Sequence, residues 1–299
     1  MEVKMNKSLS YSICFITLIL ILVGCSYSSD QSLRRSAIGS RDILSLKLHY
    51  TPVRTAYSSL DNTLFIMEPE SNLIHIFKNG VRFNTIGGLG FGESNFTRLS
   101  DITVSPHGRL LALDSFQKVI KKFDSNGMWL ENYPLEQLTE PLLFDVAHDG
   151  TVFIYDRTIN EIVIYDERIE EIVYRFGKFL LDNPAQLNST FSHVTVYDRG
   201  SDKSFVFDTY GRLTETLAGF WQIDRYNNRY LLNLNRVSFY PPSAFVQIRG
   251  ETKIREGVTV EREFHSSATP WRSFTVKRGI MSLITHNGIQ VSELIYERY

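Results

Sequence analysis

Apolar residues in this chain fall in short runs, each closed by a polar residue and followed by turn chemistry. The stretch Thr85–Tyr133 shows the pattern. Ile102–Val104 is followed by a His107-Gly108 turn, Leu110–Leu113 is closed by Asp114, and Val119–Phe123 ends in the turn Asp124-Ser125-Asn126-Gly127, after which Met128 starts another run. Runs this short, bounded by Gly, Asn and Asp, predict strands rather than helices. Four strands joined by tight turns predict one antiparallel sheet.

The same unit recurs. The polar residue closing each second strand is Glu68 in LFIME, Asp114 in LLALD, Asp156 in VFIYD and Asp198 in VTVYD, at steps of 46, 42 and 42 residues. Two weaker units follow. One holds Tyr230–Leu234 and Ala244–Ile248 around a Tyr240-Pro241-Pro242 loop, and the last holds Trp271–Val276, Ile280–Ile284 and Ile289–Tyr296. Six four-stranded units at this period predict an all-β fold, a six-bladed β-propeller. The last unit shows only three strands, so Ile43–Leu48 is expected to supply the outermost fourth and close the ring, which otherwise keeps an open edge.

The first four units resemble NHL repeats. The matching residues are Gly87-Gly88…Gly92, Phe96, Asp101–Val104, Gly108, Leu110–Asp114 and Val119…Gly127, with Pro141, Asp145-Val146, Gly150 and Val152–Asp156 in the third. That resemblance implies a propeller and no particular activity.

Ahead of the repeats lies a targeting pattern. Lys4 and Lys7 precede the apolar stretch Tyr11–Gly24, which is shorter than the ~20 residues of a membrane span. The stretch stops at Leu22-Val23-Gly24-Cys25, which resembles the lipobox of bacterial lipoproteins. The resemblance implies a signal peptide over 1–24, lipidation of Cys25, and a membrane partner reached through that lipid. Ser26 after the Cys implies outer-membrane sorting. Residues 25–41 then read as the lipidated Cys and a polar tether, and 42–299 as the propeller. Cys14 lies in the signal peptide, so the mature chain holds Cys25 alone and forms no internal disulfide.

A formal net charge of -1 provides no field for nucleic acid, and none is expected as a partner. The residues opening each inner strand are the candidates for a channel mouth. Counting from the anchors gives Thr55, Asp101, Leu143 and Ala185. Matching the Asp-Ile and Asp-Val pairs moves the third and fourth to Asp145 and Leu187, and Trp221 and Arg272 fall near the fifth and sixth. Asp101 and Asp145 either cap local backbone or, with Arg272, hold a ligand; Trp221 either stacks on that ligand or packs between blades. No cofactor is expected beyond a divalent cation that the two carboxylates could hold.

Other motifs point away from catalysis. Gly87–Gly92 is followed by a strand, whereas phosphate cradles lead into a helix. The seven histidines show no ligand spacing, and no Gly-x-Ser-x-Gly elbow is present. The expected function is therefore a cell-envelope lipoprotein that binds a protein, peptide or glycan through one propeller face. The alternative is a metal-dependent hydrolase or lyase working in the channel through Asp101 and Asp145.

Overall fold

The computed structural model describes residues 35–298, apart from 167–169, 235, 249–250, 256–261, 267–271 and 287. The signal peptide, Cys25 and residues 26–34 lie outside the described residues. Among those described, the strands form six four-stranded antiparallel sheets and one separate hairpin.

The first strand, β1 (Arg35–Lys47), belongs to the last blade. Blade 1 follows with β2 (Arg54–Ser58), β3 (Thr63–Glu68), β4 (Leu73–Lys78) and β5 (Val81–Gly87). Blade 2 holds β6 (Leu99–Val104), β7 (Leu110–Asp114), β8 (Val119–Phe123) and β9 (Trp129–Pro134). Blade 3 holds β10 (Pro141–Val146), β11 (Val152–Asp156), β12 (Glu161–Asp166) and β13 (Glu171–Phe176). Blade 4 holds β14 (Pro184–Ser189), β15 (His193–Asp198), β16 (Lys203–Asp208) and β17 (Leu213–Ala218). Blade 5 starts with β18 (Phe220–Ile223), β19 (Arg229–Asn233) and β20 (Arg236–Tyr240). A two-stranded insert, β21 (Phe245–Ile248) and β22 (Glu251–Ile254), precedes its fourth strand, β23 (Arg262–Ser266). Blade 6 holds β24 (Ser273–Lys277), β25 (Ile280–Ile284) and β26 (Gly288–Arg298), with β1 as its outer strand.

Ring closure by the N-terminal strand is therefore present, and it is longer than the sequence implies. β1 pairs with β26 from Arg35↔Arg298 to Lys47↔Gly288. Residues 35–41, expected in the tether, are strand. The polar letters of SAIGSR hide the reason: only Ser36 and Ala37 turn inward, and Ala37 joins the core between blades 5 and 6. Blade 5 also differs from expectation. Phe245–Ile248 is not a blade strand but half of the insert, because the Pro241-Pro242 turn leads the chain out of the sheet.

Six apolar clusters hold the ring, one at each blade–blade interface. Phe65, Ile74 and Ile76 of blade 1 meet Phe96, Ile102 and Phe123 of blade 2, for example, and Leu64 and Ile66 meet Ile289 and Val291 across the closure. This is why the strands read as apolar runs rather than alternating ones: inner strands are buried on both faces. The anchor carboxylates explain the repeat. Asp114 accepts the amides of Thr97 and Arg98 before its blade and of Phe116 and Gln117 in the β7–β8 turn. Asp156 and Asp198 do the same with Thr139, Glu140 and Thr158, and with Asp182, Asn183 and Ser201. Each ties a blade crossover to the turn beside it, satisfying amides that would otherwise be buried unpaired.

The Gly-rich stretch is one of these crossovers. Gly87 has φ +107, and a Cβ there would lie 2.2 Å from the Asn72 carbonyl, so only glycine fits. The loop turns carbonyls, not amides, toward its charged neighbour: Lys121 Nζ donates to Gly92 O at 2.8 Å and Asn95 O at 2.7 Å.

Candidate functional site: a stitched channel with two open mouths

Every inner strand runs from the face carrying the blade crossovers, here the crossover face, to the opposite or far face. The channel between them is divided into three parts. The middle is nearly filled, with a cavity of only ≈ 50 Å³.

Two buried ion pairs fill that middle. Arg54, on β2, donates from Nε to Asp101 Oδ1 at 2.9 Å and from Nη2 across the channel to Ala185 O at 2.8 Å. The other Asp101 oxygen accepts the Phe144 amide at 3.1 Å. Asp145 repeats the arrangement one blade on. It accepts the Thr103 hydroxyl at 2.6 Å and the Ser189 amide at 2.7 Å, and it pairs with the ammonium of Lys277 from blade 6. Gln186 and Asn188 of β14 donate to the Phe274 and Val276 carbonyls of β24 at 2.8 and 3.2 Å.

Burial sets the electrostatics. It pushes the Asp101 carboxyl up, against the opposing effect of Arg54 and the Phe144 and Ile102 amides. At Asp145 burial acts in the same direction, but Lys277, Thr103 and the Ser189 amide outweigh it and hold the carboxyl below its usual range. Each carboxylate thus has its counter-charge from the chain. No group of three or more His, Cys, Asp or Glu side chains suited to a metal occurs among the described residues.

The expected mouth residues do not act together. Asp101, Asp145, Thr55 and Leu187 line the narrow middle. Arg272 is exposed and lines the crossover-face mouth, a cavity of ≈ 730 Å³ that also takes in Arg54, Tyr197, Arg199, Asp202 and Leu234. Trp221 is 3% exposed and packs between blades 4 and 5, against Tyr240 and Phe245, with its indole N–H on Ala218 O at 2.7 Å. Of its two sequence readings, packing is the one observed. Sequence reasoning missed Arg54 and Lys277. The signal was a cation next to each predicted inner strand, in PVRTAYS and FTVKRG.

The far-face mouth was not anticipated. It is a cavity of ≈ 490 Å³ whose wall is mainly apolar, from Leu60, Val104, Pro106, Val146, Phe191 and Val276. Its floor carries Lys277 and Arg278, and Arg225 and His148 stand at its rim.

No protein-family model matches the chain, and no curated protein matches it in sequence. Solved structures match in fold. A streptogramin B lyase superposes with a TM-score of 0.55 at 12% identity, covering 89% of this chain and 100% of that one. A gluconolactonase from Xanthomonas campestris gives 0.59 at 12%, covering 87% and 97%. The WD40 propeller domain of Doa1 gives 0.54 at 10%, covering 87% and 97%. Two enzymes and a WD40 domain share this architecture, so the likeness carries the fold and not an activity.

Proposed function

We propose that the chain is a lipid-anchored protein of the bacterial cell envelope, sorted to the outer membrane, whose propeller binds an envelope protein or peptide through its crossover face. The observation that carries the reading is an apolar patch on that face. Leu89, Phe91 and Phe116 are 77%, 75% and 60% exposed, and they flank the contact between Gln117 Nε2 and Gly90 O. Exposed aromatic residues on a rigid frame are what protein interfaces use as anchors. The patch lies on the face opposite the start of β1, so a tether at Arg35 leaves it free.

The channel-enzyme reading draws on the lyase and lactonase neighbours, but its two carboxylates are already neutralised by Arg54 and Lys277. The experiment is a comparison of wild type with Phe91→Glu/Phe116→Glu, expressed as full chains in a bacterial envelope and cross-linked before purification. The partner band is expected to fall at least tenfold in the variant at unchanged melting temperature, because exposed substitutions cost within about 0.5 kcal/mol. Equal cross-linking in both would sink the proposal.

A further inference from the structure

The far-face mouth combines an apolar wall with polar groups that have no partner. Arg278 bridges from blade 6 to blade 2: its Nη1 donates to the Val104 and Ser105 carbonyls at 3.1 and 2.6 Å. Its Nη2 is buried and meets no acceptor among the described residues. Among the described residues no carboxylate ion-pairs with it; Asp145, whose charge it feels, is paired with Lys277. Ser58 Oγ, on a residue 2% exposed, is likewise unpartnered. Both groups reach the same Ser105–Gly108 turn, Arg278 through the Ser105 carbonyl and Ser58 from beside Gly108. Asp224, the acid of this mouth, is turned away into the amides of Tyr226 and Asn228 and the hydroxyls of Tyr230 and Tyr296. A buried guanidinium nitrogen and a buried hydroxyl left unpaired cost more than they contribute unless an acceptor arrives.

We propose that this mouth binds a single-chain anionic amphiphile, its carboxylate against Arg278 and Ser58 and its hydrocarbon chain running outward past Leu60 and Phe191. Three observations favour an amphiphile over a small anion. The volume falls within the ~300–1,000 Å³ of ligand sites. The wall above the cation is apolar. Leu60 and Phe191, at its lip, are 71% and 64% exposed.

The position of β1 says where such a molecule would come from, a step that rests on the lipoprotein reading. Arg35 starts on the far face: its carbonyl accepts Asn228 Nδ2 at 2.9 Å, and its guanidinium lies 5.4 Å from the Tyr226 ring centre, both residues in the far-face turn of blade 5. Residues 26–34 separate it from Cys25, ten Cα steps and a reach of at most about 36 Å at ~3.6 Å per residue. A ring held by Cys25 therefore keeps its far face within that reach of the bilayer, the source of single-chain amphiphiles.

Titration calorimetry on residues 26–299, which contain all six blades, tests the site. The probes are dodecanoate below its micellar concentration, methyl dodecanoate, dodecyltrimethylammonium and acetate. Dodecanoate is expected to bind one to one, and the ester and the cation at least tenfold more weakly. Acetate is expected to give no heat. Arg278→Gln is expected to lower dodecanoate affinity at least tenfold and leave the ester unchanged. Phe191→Ser and Leu60→Ser, at exposed positions, are expected to weaken both severalfold and decide the matter if Arg278→Gln fails to fold. Absence of saturable dodecanoate binding, equal affinity for the three head groups, acetate binding as tightly as dodecanoate, or unchanged affinity in the lip variants overturns the site. Radiolabelled palmitate incorporation into the full chain and into Cys25→Ser separates the two readings. Without Cys25-dependent label the anchor reading falls, while one-to-one dodecanoate binding still upholds the pocket.

Discussion

At Asp145 the positive charge that a carboxylate in a propeller channel invites comes from Lys277, 132 residues further along the chain. Removing one member of a buried pair leaves the other uncompensated, which costs several kcal/mol. Asp145→Asn is expected to lower unfolding free energy by about 3 kcal/mol, read from the urea midpoint. Asp145→Asn/Lys277→Gln is expected to cost less than the two single variants together, because the ammonium is no longer stranded. His193 makes the pH dependence specific. It is 7% exposed, and burial, assisted by Arg229, lowers its pKa to about 4. The folded state therefore favours the neutral ring. That contribution is fully present above the unfolded value near 6.5, and it is lost as pH falls toward 4. Over that window the loss is about 3 kcal/mol. Urea midpoints recorded from pH 7.5 to 4 are expected to fall steeply for wild type and less steeply for His193→Gln.

The outer strand of blade 6 decides whether the ring closes. A chain starting at Arg35 keeps every β1–β26 pair, while one starting at Asp42 loses the pairing from Arg35 to Arg41 and the packing of Ala37. Size-exclusion chromatography is expected to give a monomer for the first and association for the second, because the end of β26 becomes an open edge. Monomeric behaviour of both would show that residues 35–41 are dispensable. Elements differ in how well the sequence announces them. Blades 2 to 4 are legible because Asp114, Asp156 and Asp198 perform the same capping and so recur at a fixed step, whereas Glu68 of blade 1 holds the side chains of Ser71 and His75 instead. Blade 5 is not, because Phe245–Ile248 has the composition of a strand but pairs with Glu251–Ile254 outside the sheet. The site was legible only in part. Asp101 and Asp145 both lie on inner strands, but the register makes Leu143, the residue that spacing alone picks, the counterpart of Asp101; the Asp-Val match misleads, and Asp145 sits two residues deeper in the channel. Arg54 and Lys277 read as ordinary charges beside turns, and nothing local in sequence says that ring closure brings blade 6 to blade 3.

For the whole molecule, the stitched centre makes a prediction about metals. A ligand that binds only the folded state raises the melting temperature by mass action. With Asp101 and Asp145 each holding a cation of the chain, Ca²⁺, Mg²⁺, Mn²⁺ and Zn²⁺ are each expected to shift the melting temperature of residues 26–299 by less than about 1 °C at millimolar concentration. A metal-specific rise abolished by both Asp101→Asn and Asp145→Asn would restore the channel-enzyme reading. The centre admits no through path for a ligand, so the two mouths are separate cavities, one on each face of the ring. The closing strand has a further consequence, in time rather than in space. β1 is the first blade strand to be made and its partner β26 the last, so Arg35 waits for Arg298 before either is paired. A product that stops short of β26 cannot complete the circle. The ring thereby carries a test of its own completeness, and a chain that fails it is left with an unpaired β1.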